Sequence, residues 1–236
     1  MDGPWSGREL VEIAAQTLRE RDAALRAEQA VFGLDSLDEV GLHPILAEGY
    51  RGHGLGVYTE RVYAGAVENR PIRRERERCD LVLTRDPSAR LIDPVAELVE
   101  IDRASGTLFE SMAESMEPEG AVVEAGEAYW LEVKAVAQVA YVAGTPGPNA
   151  SYASQLIGGP GADVVKLARE PTIEHGGAMV VLFAHDAETA EHDLGLMFHK
   201  LLDKGLPISV SVWETIEIED RAGNGACAVA LAGVRL

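Results

Sequence analysis

The stretch AYWLEVKAVAQVAYVAG, residues 128–144, decides how this chain is read. It has the look of a strand bound for the interior, yet Glu132 and Lys134 stand in its middle. Side chains alternate along a strand, so Trp130, Glu132, Lys134, Val136 and Gln138 share one face. Tyr129, Leu131, Val133 and Ala135 share the other. An edge strand with its charges in water is the competing reading, and Trp130, Val136 and the run to Val142 argue for burial instead.

The strand upstream, PIRRERERCDLVLT, has its own parity. Arg74, Arg76, Arg78 and Asp80 fall on one face, with Leu81 and Leu83 on the other. If the two strands pair, Asp80 lies beside Glu132 and Lys134. Two nearby carboxylates repel unless something positive sits between them. A hard divalent cation does this well, since it takes a few carboxylates and keeps waters for a phosphate. The ion can activate a water, while an adjacent ammonium orients or helps deprotonate it and screens the developing charge. The arrangement suits phosphodiester hydrolysis.

Asp80 in CDLVLT, followed by Glu132 and Lys134 in LEVK, resembles the signature of the PD-(D/E)xK, restriction-endonuclease-like nuclease superfamily, with Cys79 in place of the proline before the aspartate. The resemblance implies an α/β fold with a mixed sheet and a helix–strand–strand–strand–helix–strand core, which residues 36–184 follow in order. It implies Mg²⁺ or Mn²⁺ held by Asp80 and Glu132, with Glu48 from the first core helix and Val133 completing the metal set. Lys134 is then catalytic beside the two acids. Gln155, Lys166, Arg78 and Arg76 are the implied substrate-binding residues, with Asp163 as another polar candidate on the helix after the third strand. The implied partner is nucleic acid, DNA or RNA.

Around that core the chain reads as one domain of 236 residues, long enough to bury a sizeable interior. SGRE at 6–9 is a capping box opening a helix expected over 6–32, within an N-terminal unit at 1–34. SLDE at 36–39 opens a second helix, bent or begun at Pro44. Strands follow at GLGVYTERVYAGA and PIRRERERCDLVLT, joined as a hairpin around Glu68 and Asn69. Residues 85–127 form an acidic insertion without clean periodicity. The quoted strand runs to about Ala143, then a glycine- and proline-rich joint, AGTPGPNA, and a helix with an awkward GGPG break. MVVLFA is a buried strand. A C-terminal unit, 185–236, adds an amphipathic helix and a β-hairpin around RAGNG, packing on the core.

Composition narrows the rest. No apolar run approaches a membrane span, and the N-terminus lacks a secretion signal's apolar core. Two distant cysteines, Cys79 and Cys227, suit a cytoplasmic setting. No HExxH, GK[ST] phosphate loop or GxSxG is present, and the six histidines read as surface residues. The net charge of −18 argues against a broadly basic nucleic-acid surface and keeps a second expectation open. That expectation is an inactive nuclease-fold module whose acidic surface binds a basic protein partner; a small-molecule phosphoesterase is a third, and a homodimer is compatible with each. All positive charge before Lys134 is arginine, and only Lys166, Lys200 and Lys204 follow, which suggests lysine where a compact ammonium is needed.

Overall fold

The computed structural model describes residues 4–63, 77–92, 120–142 and 144–236. Ser6 caps the first helix, α1 (Gly7–Ala27), its Oγ accepting the Glu9 N–H at 3.3 Å. The helix stops at Ala27 rather than at 32, and Gln29 takes a positive φ of 52°, which no right-handed helix continues. The second helix, α2 (Glu39–Gly52), is capped by Asp38, whose Oδ1 accepts the Gly41 N–H at 2.8 Å. Ser36 belongs to a 3-10 turn, Leu34–Ser36, that precedes it. Pro44 neither starts nor ends α2. Its missing N–H leaves the Val40 carbonyl without a helical donor, and Val40 is 73% exposed, so water can take that place.

Strands β1 (Gly56–Val62) and β2 (Arg78–Thr84) pair antiparallel, with Gly56 opposite Thr84 and Val62 opposite Arg78. The turn expected around Glu68 and Asn69 lies outside the described residues. Of the acidic insertion, a short parallel pair is described, β3 (Arg90–Leu91) with β4 (Val122–Val123). Next comes β5 (Tyr129–Ala137), antiparallel to β2, with Leu81 opposite Leu131. The single strand expected to Ala143 breaks at Gln138. The Gln138 N–H still bonds to the Phe183 carbonyl at 2.9 Å, but the Val139 N–H turns away to Asn224 Oδ1 at 3.1 Å. The chain leaves the sheet there as a separate ribbon, β6 (Val139–Val142) with β7 (Thr145–Pro148), so the glycine–proline joint is itself a strand.

Helix α3 (Tyr152–Leu167) runs unbroken through GGPG. Of its glycines, Gly161 sits where a neighbour approaches most closely. A Cβ on Gly159 would lie 3.4 Å from Lys134 Cδ, and one on Gly161 would lie 3.2 Å from Leu201 Cδ2. Strand β8 (His175–Ala184), helix α4 (Ala187–Asp203) and strands β9 (Ile208–Glu217) and β10 (Ala226–Val234) complete the chain.

The main sheet has the order β1-β2-β5-β8-β10-β9. Only β5 and β8 pair parallel within it, and α3 is the crossover between them. Helices α1 and α2 cover one face; α3 and α4 cover the other. Sandwiched between these layers, β8 and β10 are apolar on both sides, which is why their sequences read as continuous hydrophobic runs. The protein is thus a mixed α/β fold. The last two strands extend the sheet itself, β10 lying beside β8, rather than packing on it as an addition. No helix among the described residues is long and apolar enough to cross a membrane.

The placement of α2 depends on Gly49 where it crosses α1. A Cβ there would lie 2.0 Å from Thr17 Oγ1 and 2.7 Å from Thr17 Cγ2, and Thr17 is anchored by its own bond to the Ile13 carbonyl. Gly49→Ala is expected to destabilise by about 1–3 kcal/mol through overpacking. Adding Thr17→Ala removes those two atoms but keeps the Thr17 Cβ, 2.8 Å from the new methyl, so it should restore only part of the loss, read as the urea midpoint of each variant. Full stability of the single variant would show that the helices do not meet there.

Candidate active site

Pairing between β2 and β5 runs from Leu83↔Tyr129 to Leu81↔Leu131 and stops. The next residue, Asp80, turns its carboxylate to the other strand, and its Oδ2 accepts the Val133 N–H at 2.8 Å. A side chain has taken the place of a ladder carbonyl, so the two strands part at this point. Glu60, which faces this position from β1, has a positive φ of 54°. Side chains from both helical layers meet in the gap.

From α2 come Glu39 and His43, one turn apart. Together with Asp80 they form a group in which one ligand atom from each lies within 4.8 Å of the others. His43 Nε2 is buried, lacks a hydrogen-bond partner and stands 3.8 Å from Asp80 Oδ2. That separation is too long for a hydrogen bond but suits two ligands of one ion. Glu48, the expected metal ligand of this helix, is not among them. It lies nine positions after Glu39 at roughly 100° per residue, half a turn out of phase. It lines the groove between α1 and α2 with Thr17, Glu20 and His53.

From the opposite layer, α3 brings Asp163 and Lys166. Lys134 Nζ lies 3.0 Å from Glu39 Oε1 and 3.5 Å from Asp163 Oδ2, and donates to the Val133 carbonyl at 3.3 Å. One ammonium therefore ties α2 to α3 through the opening in the sheet. Lys166 Nζ lies 2.8 Å from Glu132 Oε1 and donates to the Arg78 carbonyl at 2.7 Å. Tyr63 also donates its O–H to Glu132 Oε1.

Asp80, Glu132 and Lys134 lie within electrostatic reach of one another around Val133, but strict alternation fails on β2, where Cys79 and Val82 join the same apolar cluster, opposite Leu81 and Leu83. The Arg78 guanidinium is directed elsewhere, donating to the Glu60 carbonyl at 2.9 Å, and only its main chain touches the cluster. Gln155 is exposed and accepts from Asn149 Nδ2 at 2.8 Å, bracing the start of α3 rather than joining the acids. Arg76 and Arg74 lie outside the described residues. Sequence reasoning missed Glu39 and His43. Their signal was the spacing of four on a helix whose cap, Asp38, directly precedes Glu39.

Burial sets the electrostatics. Glu132 is 2% exposed, and its carboxyl is raised by burial first and by the Asp80 charge second, against the pull of Lys166 and Tyr63. Burial works to lower Lys134, but Asp163, Glu39 and Asp80 outweigh it and hold the amine above its ordinary range. These acids favour the charged form of the Lys134 amine. The Asp163 carboxyl is pushed up to about 7 by burial, with Lys134 and Lys166 opposing and Glu132 assisting. A cleft of about 440 Å³ opens beside Asp163 and Lys166, with Arg169 on its wall.

Compared with known proteins, the chain matches no family model, no curated protein and no solved structure.

Asp163 links the cluster to pH. Its folded-state carboxyl lies above the unfolded value of about 3.9, so the folded protein holds the extra proton. That contribution to stability is complete below about pH 4 and is lost as pH rises to about 7. Lys134, Glu132 and Lys166 are the charged groups acting on it. Asp163→Asn should gain on the native protein as pH climbs through this window. Chemical denaturation at a series of pH values checks it; parallel curves for the two proteins would contradict the raised carboxyl.

Proposed function

We propose that the protein is a metal-dependent phosphodiesterase of the PD-(D/E)xK type acting on nucleic acid. The observation that carries this is the orphaned His43 Nε2 facing Asp80, where β2 and β5 part. Two further features support it. The order α2, β1, β2, β5, α3, β8, with the last two strands parallel, agrees with the restriction-endonuclease-like core that the motif resembles. Four carboxylates, those of Glu39, Asp80, Glu132 and Asp163, face two ammonium groups, Lys134 and Lys166. Burial pushes the Glu132 and Asp163 carboxyls toward their neutral forms, and a divalent cation among these acids would favour their ionised forms.

Glu39, His43 and Asp80 would hold the ion, with Glu132 and the Val133 carbonyl adjoining. An imidazole among the ligands favours Mn²⁺ over Mg²⁺, which takes oxygen almost exclusively. When bound, the cation supplies an activated water and positive charge at the phosphate. Hydrolysis forms a bond from the water oxygen to phosphorus and breaks the ester bond opposite, the departing oxygen taking a proton. Lys134 remains charged throughout and screens the oxygens that gain negative charge. Asp163 and Glu39 hold its amine in place from two sides. The 440 Å³ cleft beside Lys166 offers room for the strand that flanks the scissile bond.

The net charge of −18 favours a second reading, in which the same fold binds a basic protein partner without cleaving anything. Metal and activity separate the two. Under the hydrolase reading, Mn²⁺ should raise the melting temperature and support cleavage of a labelled oligonucleotide, with Mg²⁺ weaker. Lys134→Ala should cut turnover about 10²–10³-fold while the protein stays folded. Unchanged cleavage in that variant would rule out the assignment, and a melting temperature indifferent to Mn²⁺ would favour the binding module.

A further inference from the structure

Glu132 is the most deeply buried acid of the cluster, and one of its oxygens is held by two side chains at once, Tyr63 and Lys166. Tyr63, just past the end of β1, is 1% exposed and donates its O–H to Oε1, while its ring stacks on Trp130 with centroids 5.4 Å apart. Lys166, from α3, approaches the same Oε1 at 2.8 Å. Its Nζ also donates to the Arg78 carbonyl of β2 at 2.7 Å and stands 4.9 Å over the Tyr63 ring. An ammonium has three N–H bonds; here two meet oxygens and the aromatic face takes up the remaining charge. The side chain is satisfied within the protein, so it has little left to offer a substrate phosphate.

We propose that Tyr63 and Lys166 are positioning residues that fix the Glu132 carboxylate beside Asp80 and thereby set the cation affinity of the site. The inference rests on the metal-dependent reading above. Groups that hydrogen-bond to a metal's ligands and orient them alter metal affinity or activity by about 10–100-fold when lost, and Tyr63 and Lys166 would act so on Glu132 as an adjoining acid of the site. The assignment moves Lys166 from contacting substrate to holding an acid. It also accounts for the division of labour between the two lysines. With Lys166 seated on Glu132, Lys134 is left to Glu39 and Asp163, across the opening where a phosphate would lie.

Calorimetric titration of the full chain with Mn²⁺, without substrate, tests this directly. Tyr63→Phe keeps the ring, its stack on Trp130 and the face under Lys166, and removes only the hydroxyl. It should weaken Mn²⁺ binding about tenfold, and Lys166→Met by between tenfold and a hundredfold. Cleavage by Tyr63→Phe should recover at high Mn²⁺, with KM for the oligonucleotide unchanged. A role confined to stability would lower the melting temperature of both variants and leave Mn²⁺ affinity untouched, which would overturn the proposal; should Lys166→Met fail to fold, Tyr63→Phe decides alone. A native protein that binds Mn²⁺ without cleaving nucleic acid would overturn the hydrolase reading while calorimetry still judges the clamp. A native protein that binds no Mn²⁺ would overturn both.

Discussion

The bond from the Val133 N–H to the Asp80 carboxylate is the constraint on which the rest of the site depends. A β-sheet normally separates the side chains of its two faces, because each strand seals against its neighbours. Here a side chain substitutes for a main-chain acceptor, and the ladder between β2 and β5 ends at Leu81. Lys134 can then pair with Glu39 from one helical layer and Asp163 from the other. With the strands fully zipped, the acids of α2 and α3 would be held apart by a wall of main chain.

Such a cluster is costly to bury. Each charge removed from water loses several kcal/mol of hydration, which is recovered only through close partners and good geometry. The chain offsets this with a deep apolar frame. β8 and β10 lie buried nearly end to end, and aliphatic side chains of α1, α2, α3 and α4 close over both faces. The sheet's share of the cluster sits at one end of β2 and the middle of β5, with Glu39, Asp163 and Lys166 brought to it by α2 and α3, so the charged groups rest on an interior that is otherwise apolar.

How much of this was legible follows from the physics of each element. Strand parity depends only on alternation, so Glu132 and Lys134 could be grouped from the sequence, and the buried runs of β8 and β10 announced themselves. Helix phase is harder. Glu48 was drawn from the resemblance, as the glutamate of the first core helix, whereas the cap at Asp38 sets a phase that puts Glu39 and His43 on the inner face. GGPG looked like a break because glycine and proline disfavour helix, but α3 continues through it, and Gly161 suits the tight approach to Leu201. The exit of the chain at Gln138 depends on Asn224, far along the sequence, and no local pattern encodes it. For Lys166, composition shows a cation near acids but not which oxygen it meets.

The scarcity of lysine acquires a meaning in this setting. Of the four in the chain, Lys134 and Lys166 are in the cluster, while Lys200 and Lys204 are exposed at the end of α4 and just beyond it. A guanidinium is planar and wide, and prefers two parallel bonds to one carboxylate. Lys134 instead reaches two carboxylates and a carbonyl lying in different directions, past a helix whose Gly159 leaves ordinary van der Waals room beside its stem. Lys166 divides its contacts among a carboxylate, a carbonyl and a ring face. Both positions call for a compact charge with donors splayed in three dimensions. Among the described residues most arginines are exposed, whereas Lys134 and Lys166 sit in the cluster, where arginine's planar geometry would fit poorly.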